Sequence, residues 1–129
     1  MPAIRIDAIG VTARDMKQAI RFYTLLGFDF SGVDASQDHV EPATEPGQVR
    51  LMIDSHDLAS KLIGAAPEPA NHAQFALLCD DPAHVDRLAE AVASDGFKVV
   101  TAPWDAFWGQ RYSTIADPDG YLIDLFAPL

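Results

Sequence analysis

Residues 104–126 read WDAFWGQRYSTIADPDGYLIDLF, and the order of parts in this stretch decides the fold. Four large aromatics open it: Trp104, Phe107, Trp108 and Tyr112. A strand follows, then a tight turn at Asp117-Pro118-Asp119-Gly120. Proline presets φ at the second turn position, and glycine accepts a positive φ at the fourth. The closing strand, Tyr121 to Phe126, carries one acid, Asp124, among apolar neighbours. With Leu122 and Phe126 inward, a period of two puts Asp124 between them on the same face.

Working outward, the same parts occur twice. Ile4, Ile6, Ile9 and Val11 alternate over 3–12 and predict a strand. Asp15 caps a helix at capping-box spacing from Gln18. Met16, Ala19, Ile20, Tyr23 and Leu26 form its apolar stripe, and Gly27 stops it. Phe28-Asp29-Phe30 begins a second strand; 31–47 reads as loop with a short strand near His39-Val40; Gln48 to Ile53 is a strand. The segment 55–72 has a short helical start and then a linker rich in proline and alanine. Beyond it, Gln74 to Cys79 is a strand, and Asp81-Pro82 caps a helix with proline at its first position. Val85, Leu88, Ala89 and Val92 turn inward, Gly96 stops the helix, and Phe97 to Val100 is a strand. The aromatic loop and final hairpin complete the chain. Gly27-Phe28 matches Gly96-Phe97, and Arg50-Leu51 matches Asp124-Leu125. Each half is therefore strand–helix–strand–strand–strand. The expected division is a first module over 1–54, a linker over 55–72 and a second module over 73–129.

Bulk composition narrows the function classes. The 129 residues, 49% of them apolar, suffice for a core. No apolar run spans a membrane, and the first residues lack the pattern of a signal peptide. A single cysteine, Cys79, excludes an internal disulfide and cysteine-based zinc clusters. The expected compartment is the cytoplasm. With 19 acids against 9 bases, the formal charge is −10. Nucleic acid is then an unsuitable partner, because phosphate binding needs clustered Lys and Arg. Cationic small molecules suit it better.

The ordered set of Asp15-Met16, Arg21-Phe22-Tyr23, Leu26-Gly27-Phe28, Trp108-Gly109, Asp117-Pro118-Asp119-Gly120 and Leu122-Ile123-Asp124-Leu125 resembles the vicinal oxygen chelate superfamily. That group includes glyoxalase I, extradiol dioxygenases and bleomycin-resistance proteins. The resemblance covers essentially the whole chain. It implies an α+β fold in which two tandem βαβββ modules form a curved mixed sheet around a cavity, commonly in a homodimer. Its enzymes hold a divalent metal through ligands on the first and last strands of each module. Carried over by position, those places fall on Ala8, Gln74, Arg50 and Asp124. Alanine cannot ligate, arginine is cationic and glutamine is a weak neutral donor. Only Asp124 suits a metal, and a catalytic site needs about three protein ligands. The expectation is a protein with no metal and no cofactor.

Two readings compete at Arg50 and Asp124: a buried ion pair filling the cavity, or groups that fix the polar end of a ligand. The aromatics are either cover for the sheet or a stacking surface for a ligand, with Trp108 the foremost residue. Arg111 reaches a carboxylate or an aromatic face. Among the histidines, His72 shares a face with Gln74, His84 lies on the second helix, His56 starts the linker and His39 sits in the short strand. Cys79 reads as core. The expected ligand set is Trp108, Trp104, Phe107, Tyr112, Arg50, Asp124 and Gln74, around a small and cationic aromatic molecule, as in bleomycin-resistance proteins. Against this stands a metal-dependent lyase, isomerase or dioxygenase using Asp124 and His72, with Gln74 as a third ligand. A metal-free enzyme with Asp124 as general base is the third alternative.

Overall fold

Helix boundaries follow the capping residues in both halves. A computed structural model describes residues 4–69 and 75–129. In it the chain divides into a first unit, Met1–Glu68, and a second, Pro69–Leu129. In the first unit the Asp15 side chain accepts from the Gln18 amide and starts α1 (Met16–Leu25). The helix ends where Gly27 takes φ +104°, with Gly27 N–H bonding Thr24 O and Phe28 N–H bonding Tyr23 O. That pair of bonds is the Schellman cap. In the second unit Asp81 accepts from the His84 amide and starts α3 (Pro82–Ser94). Gly96 takes φ +86°, Gly96 N–H bonds Ala93 O, and Phe97 N–H bonds Val92 O. The two helices close in the same way.

The first sheet contains β1 (Ala8–Ala13), β2 (His39–Val40) and β3 (Arg50–Ser55), in the order β1-β3-β2. β1 runs parallel to β3, and β2 antiparallel to it. Val11, Ala13, Leu51 and Ile53 are buried with Ala19, Phe22 and Tyr23 of α1. Phe22 thus joins the stripe read from sequence. After Ser55 caps it, α2 (His56–Ile63) packs on β1 and β3 and buries Ala59.

The second sheet contains β4 (Phe75–Leu78), β5 (Lys98–Ala106), β6 (Gln110–Ala116) and β7 (Leu122–Pro128), ordered β4-β7-β6-β5. β4 and β7 are parallel; the other neighbours are antiparallel. Ile115, Ile123, Leu125 and Ala127 lie fully buried, as do Val85 and Val92 of α3. The fold is α+β, with two mixed sheets, as expected.

Three expectations about elements need correction. The first strand begins at Ala8 rather than residue 3, because its partner β3 begins at Arg50; Ile4 and Ile6 are exposed. Phe28-Asp29-Phe30 joins no ladder among the described residues, its Asp29 carbonyl accepting from the Ala43 amide, so the first sheet has three described strands. The strand expected to stop at Val100 runs on to Ala106, taking Trp104 out of the loop and into β5.

Candidate functional site

Alternation along β6 and β7 sorts the second sheet into two faces. Ser113, Ile115, Ile123 and Leu125 are fully buried on the face toward α3. The period of two then places Tyr112, Thr114, Leu122, Asp124 and Phe126 on the opposite face. Trp104 lies across from Tyr112, so it joins them. Asp124 sits between Leu122 and Phe126 on that face, as alternation predicts.

The hairpin between β5 and β6 displays the aromatics. Its loop is Phe107-Trp108-Gly109, closed by a bond from Gly109 N–H to Ala106 O. Gly109 has φ +89°, the left-handed residue that a three-residue hairpin loop needs. Phe107 and Trp108 are thereby held at the tip. Trp108 is the hub, meeting Phe107, Tyr112 and Trp104 edge to face at centroid distances of 5.0, 5.4 and 5.5 Å. Such contacts suit the quadrupoles of the rings. The Trp108 indole N–H donates to Gln110 Oε1 at 2.8 Å, which fixes the ring's orientation. Even so, Trp108 is 49% exposed. The ring is therefore held by its neighbours and left half-exposed.

Beneath this cluster lies Asp124, only 6% exposed. Its Oδ2 accepts from the Tyr112 hydroxyl, and Oδ1 accepts from Thr114 Oγ1 at 2.8 Å. Burial and the neighbouring carboxylate push the Tyr112 phenol up to about 12, with burial the larger cause. The proton therefore stays on the phenol, bridging the aromatic tip to the acid.

The corresponding face of the first sheet is different in kind. Ala8 lies across from Arg50. The Arg50 guanidinium donates to Asp7 Oδ2 through Nε (3.2 Å) and Nη2 (2.9 Å), and to Glu41 Oε1 through Nη1 (2.6 Å). These carboxylates raise the arginine's affinity for its proton, the hydrogen bond to Asp7 being the largest single cause and that to Glu41 the next. Glu41 Oε2 lies 2.7 Å from His39 Nε2, and Asp54 Oδ1 lies 2.6 Å from His39 Nδ1. A chain of charge runs Asp54–His39–Glu41–Arg50–Asp7.

The ligand set expected from sequence is thus distributed. Trp104, Phe107, Trp108, Tyr112 and Asp124 form one connected group in the second unit. Arg50 belongs to the charged chain of the first. Gln74 and His72 lie outside the described residues, and the strand partner of Asp124 is Ala76. Arg111 bridges Asp86 and Asp105 on the helix-facing side, so it reaches carboxylates rather than an aromatic. Cys79 is buried, and burial pushes its thiol up. His56 Nε2 is buried with no hydrogen-bond partner among the described residues.

A divalent metal does not fit the first-unit positions: Ala8 offers no side-chain donor, and Arg50 brings a cation already held by two acids. Among the described residues no group of three or more His, Cys, Asp or Glu is placed to hold one. None of the described helices is long and apolar enough to cross a membrane. A cleft of 270 Å³ in the first unit is lined by Arg5, Asp7, Glu45, Gln48 and Arg50 among others, and one of 490 Å³ in the second includes Phe97, Lys98, Asp117 and Leu122. The aromatic cluster lines neither of these two clefts.

Glu41, Asp54 and Thr114 are not among the residues that the sequence singles out. The signals are present as alternation: His39-x-Glu41 puts both side chains on one face, as Arg50-x-Met52-x-Asp54 does in β3. Recognising Thr114 requires the register that sets it across from Asp124.

Comparison with known proteins gives one family over nearly the whole chain. Residues 5–125 match the family described as the Glyoxalase/Bleomycin resistance protein/Dioxygenase superfamily. Among solved structures, a hypothetical protein from S. aureus superposes with a TM-score of 0.81 at 20% identity, covering 98% of this chain and 95% of that one. A glyoxalase/bleomycin resistance protein/dioxygenase family enzyme from Burkholderia phytofirmans PsJN gives 0.80 at 17% identity, covering 98% and 100%. A structure titled lactoylglutathione lyase, from Agrobacterium tumefaciens, gives 0.70 at 18%, covering 98% and 95%. At these identities the likeness is one of fold. No curated protein matches the chain.

Proposed function

The chain belongs to the Glyoxalase/Bleomycin resistance protein/Dioxygenase superfamily, and from that premise we propose that it binds a small, cationic aromatic molecule without a metal. The observation that carries this reading is Trp108, held edge-on by three other rings yet 49% exposed, on the sheet face that buries Asp124. A flat cation stacked on the indole gains from the ring's negative face, by about 0.5–2 kcal/mol for each such contact. The formal charge of −10 draws cations toward the protein before contact. Gln110, by fixing the indole, lowers the ordering cost of binding. Arg50 has a different part, holding Glu41 and Asp7 on the first sheet. The same reading takes the protein as a cytoplasmic homodimer, and light scattering on the purified protein tests the dimer directly.

Titration with ethidium and acridine orange, followed by tryptophan fluorescence, tests the binding site. Saturable quenching that weakens about tenfold or more in Trp108→Ala is the expected result, a change of about 1.4 kcal/mol. Equal affinity in the variant overturns the stacking role. Metal analysis separates this reading from a lyase, isomerase or dioxygenase. Stoichiometric zinc, nickel, iron or manganese that is lost in Asp124→Ala establishes the enzyme reading instead.

A further inference from the structure

We propose that His39 is a pH-sensitive clip between β2 and β3, closed when the imidazole carries both protons and open when it carries one. The geometry comes first. Nδ1 lies 2.6 Å from Asp54 Oδ1 and Nε2 lies 2.7 Å from Glu41 Oε2. An ionised carboxylate only accepts hydrogen bonds, and a neutral imidazole has one N–H. Both short contacts are therefore hydrogen bonds only in the imidazolium form. Loss of a proton turns one of them into a lone pair facing an anionic oxygen.

The location gives the change a structural effect. β2 is two residues long, and its register pairs His39 with Asp54 and Val40 with Ile53. So short a strand has little backbone ladder to hold it, and the ring supplies a cross-strand fastening. A second fastening lies beside it, where Ser55 N–H bonds Asp38 O at 2.7 Å and Ser55 Oγ donates to Asp38 Oδ1 at 2.9 Å.

The charged groups around the ring all bear on its proton. Asp54 of β3 faces one nitrogen, and Glu41 of its own strand segment faces the other. Arg50 of β3 shares Glu41, Asp7 shares Arg50, and Asp38 precedes the ring by one residue. Hydrogen bonds to Glu41 and then to Asp54 raise the proton affinity of His39 against an opposing effect of burial. The sign follows. The folded value is above that of a free histidine, about 6.5. The clip's contribution is complete below that pH and is lost as pH rises through the folded value.

Two measurements on the intact protein test this. Ring-proton NMR is expected to give His39 a midpoint above about 6.5, moved downward in Glu41→Gln. Hydrogen-exchange protection of the Ser55 amide is expected to fall across the same pH range in the native protein and to stay level in His39→Gln. A His39 midpoint at or below the free value overturns the proposal. So does a fall in Ser55 protection that is as large in His39→Gln as in the parent protein. The Glu41→Gln titration leaves His39 in place, so it decides the question even where His39→Gln disturbs folding.

Discussion

The two units share a scaffold and differ in what they display on it. Each begins a helix with an aspartate cap, ends it with a Gly-Phe Schellman cap, and sets its first strand parallel to its last. On the face opposite α1, the first unit carries four charged groups, Asp54, Glu41, Arg50 and Asp7, linked through the titratable His39. The second carries four aromatic rings, one of which, Tyr112, bonds the buried Asp124. At matching positions stand Arg50, whose partners are the exposed Asp7 and the part-buried Glu41, and Asp124, whose partners are hydroxyls and which is nearly buried. Backbone geometry is thus set by a few capping and core residues. The face opposite the helices is left free to take unlike chemistry.

The largest test of the shared scaffold is in the cores. Phe22→Ala in the first unit is expected to cost about 3–5 kcal/mol and Ile123→Ala in the second about 2–5 kcal/mol, read from urea unfolding. A negligible loss in either unit breaks the symmetry of the two cores. Next comes the site itself. Tyr112→Phe leaves Asp124 short of a buried donor and is expected to cost roughly 1–3 kcal/mol. It also removes the ionisation near 12 from the ultraviolet difference titration. The sign is that of a raised phenol: stability is complete below the free tyrosine value of about 10 and lost as pH rises toward the folded one. Loss of a component near the free value of about 10 instead removes Tyr112 from the acid's environment.

The equivalence of the caps gives a narrower test. Among the described residues, and beyond the adjoining ones in the chain, no heavy atom lies within 4 Å of a Cβ built on Gly27 or Gly96, so alanine at either site meets mainly backbone strain. Both substitutions are expected to cost roughly 1–2 kcal/mol, and to the same degree. Unequal losses in thermal unfolding mean that the helices do not end alike. The smallest effects belong to the ion pairs. Arg50→Met and Arg111→Met are each expected to change stability by less than about 1 kcal/mol, because each arginine pairs with at least one well-exposed carboxylate. A larger loss at Arg50 shows that the charged chain acts as a unit.

Much of the scaffold was legible because caps and turns are local. Asp15, Gly27, Asp81, Gly96 and the Asp117–Gly120 turn each act within a few residues, and each is found in its expected role. The aromatic tip and Asp124 were legible for the same reason, through alternation. What sequence did not disclose is pairing at a distance. Phe28 to Phe30 has the composition of a strand but lacks a continuous partner. The charged chain joins residues up to 43 positions apart, from Asp7 to Arg50. Pro103 makes β5 look shorter in sequence than it is in the sheet. There the interruption is absorbed by register shifts between Val99 and Thr101 and between Thr101 and Trp104, on an outermost strand where a missing N–H is tolerated.

That uneven strand has a further bearing on how the protein behaves at high concentration. The rim of a sheet is a template on which another chain can lay itself down, and long straight rims are where aggregation begins. β5 is the longest of the described strands and lies at such a rim. Its two breaks in register and its proline deny an incoming strand a regular run of donors and acceptors. The register shifts ahead of Trp104 thus also oppose edge-to-edge pairing of molecules along it.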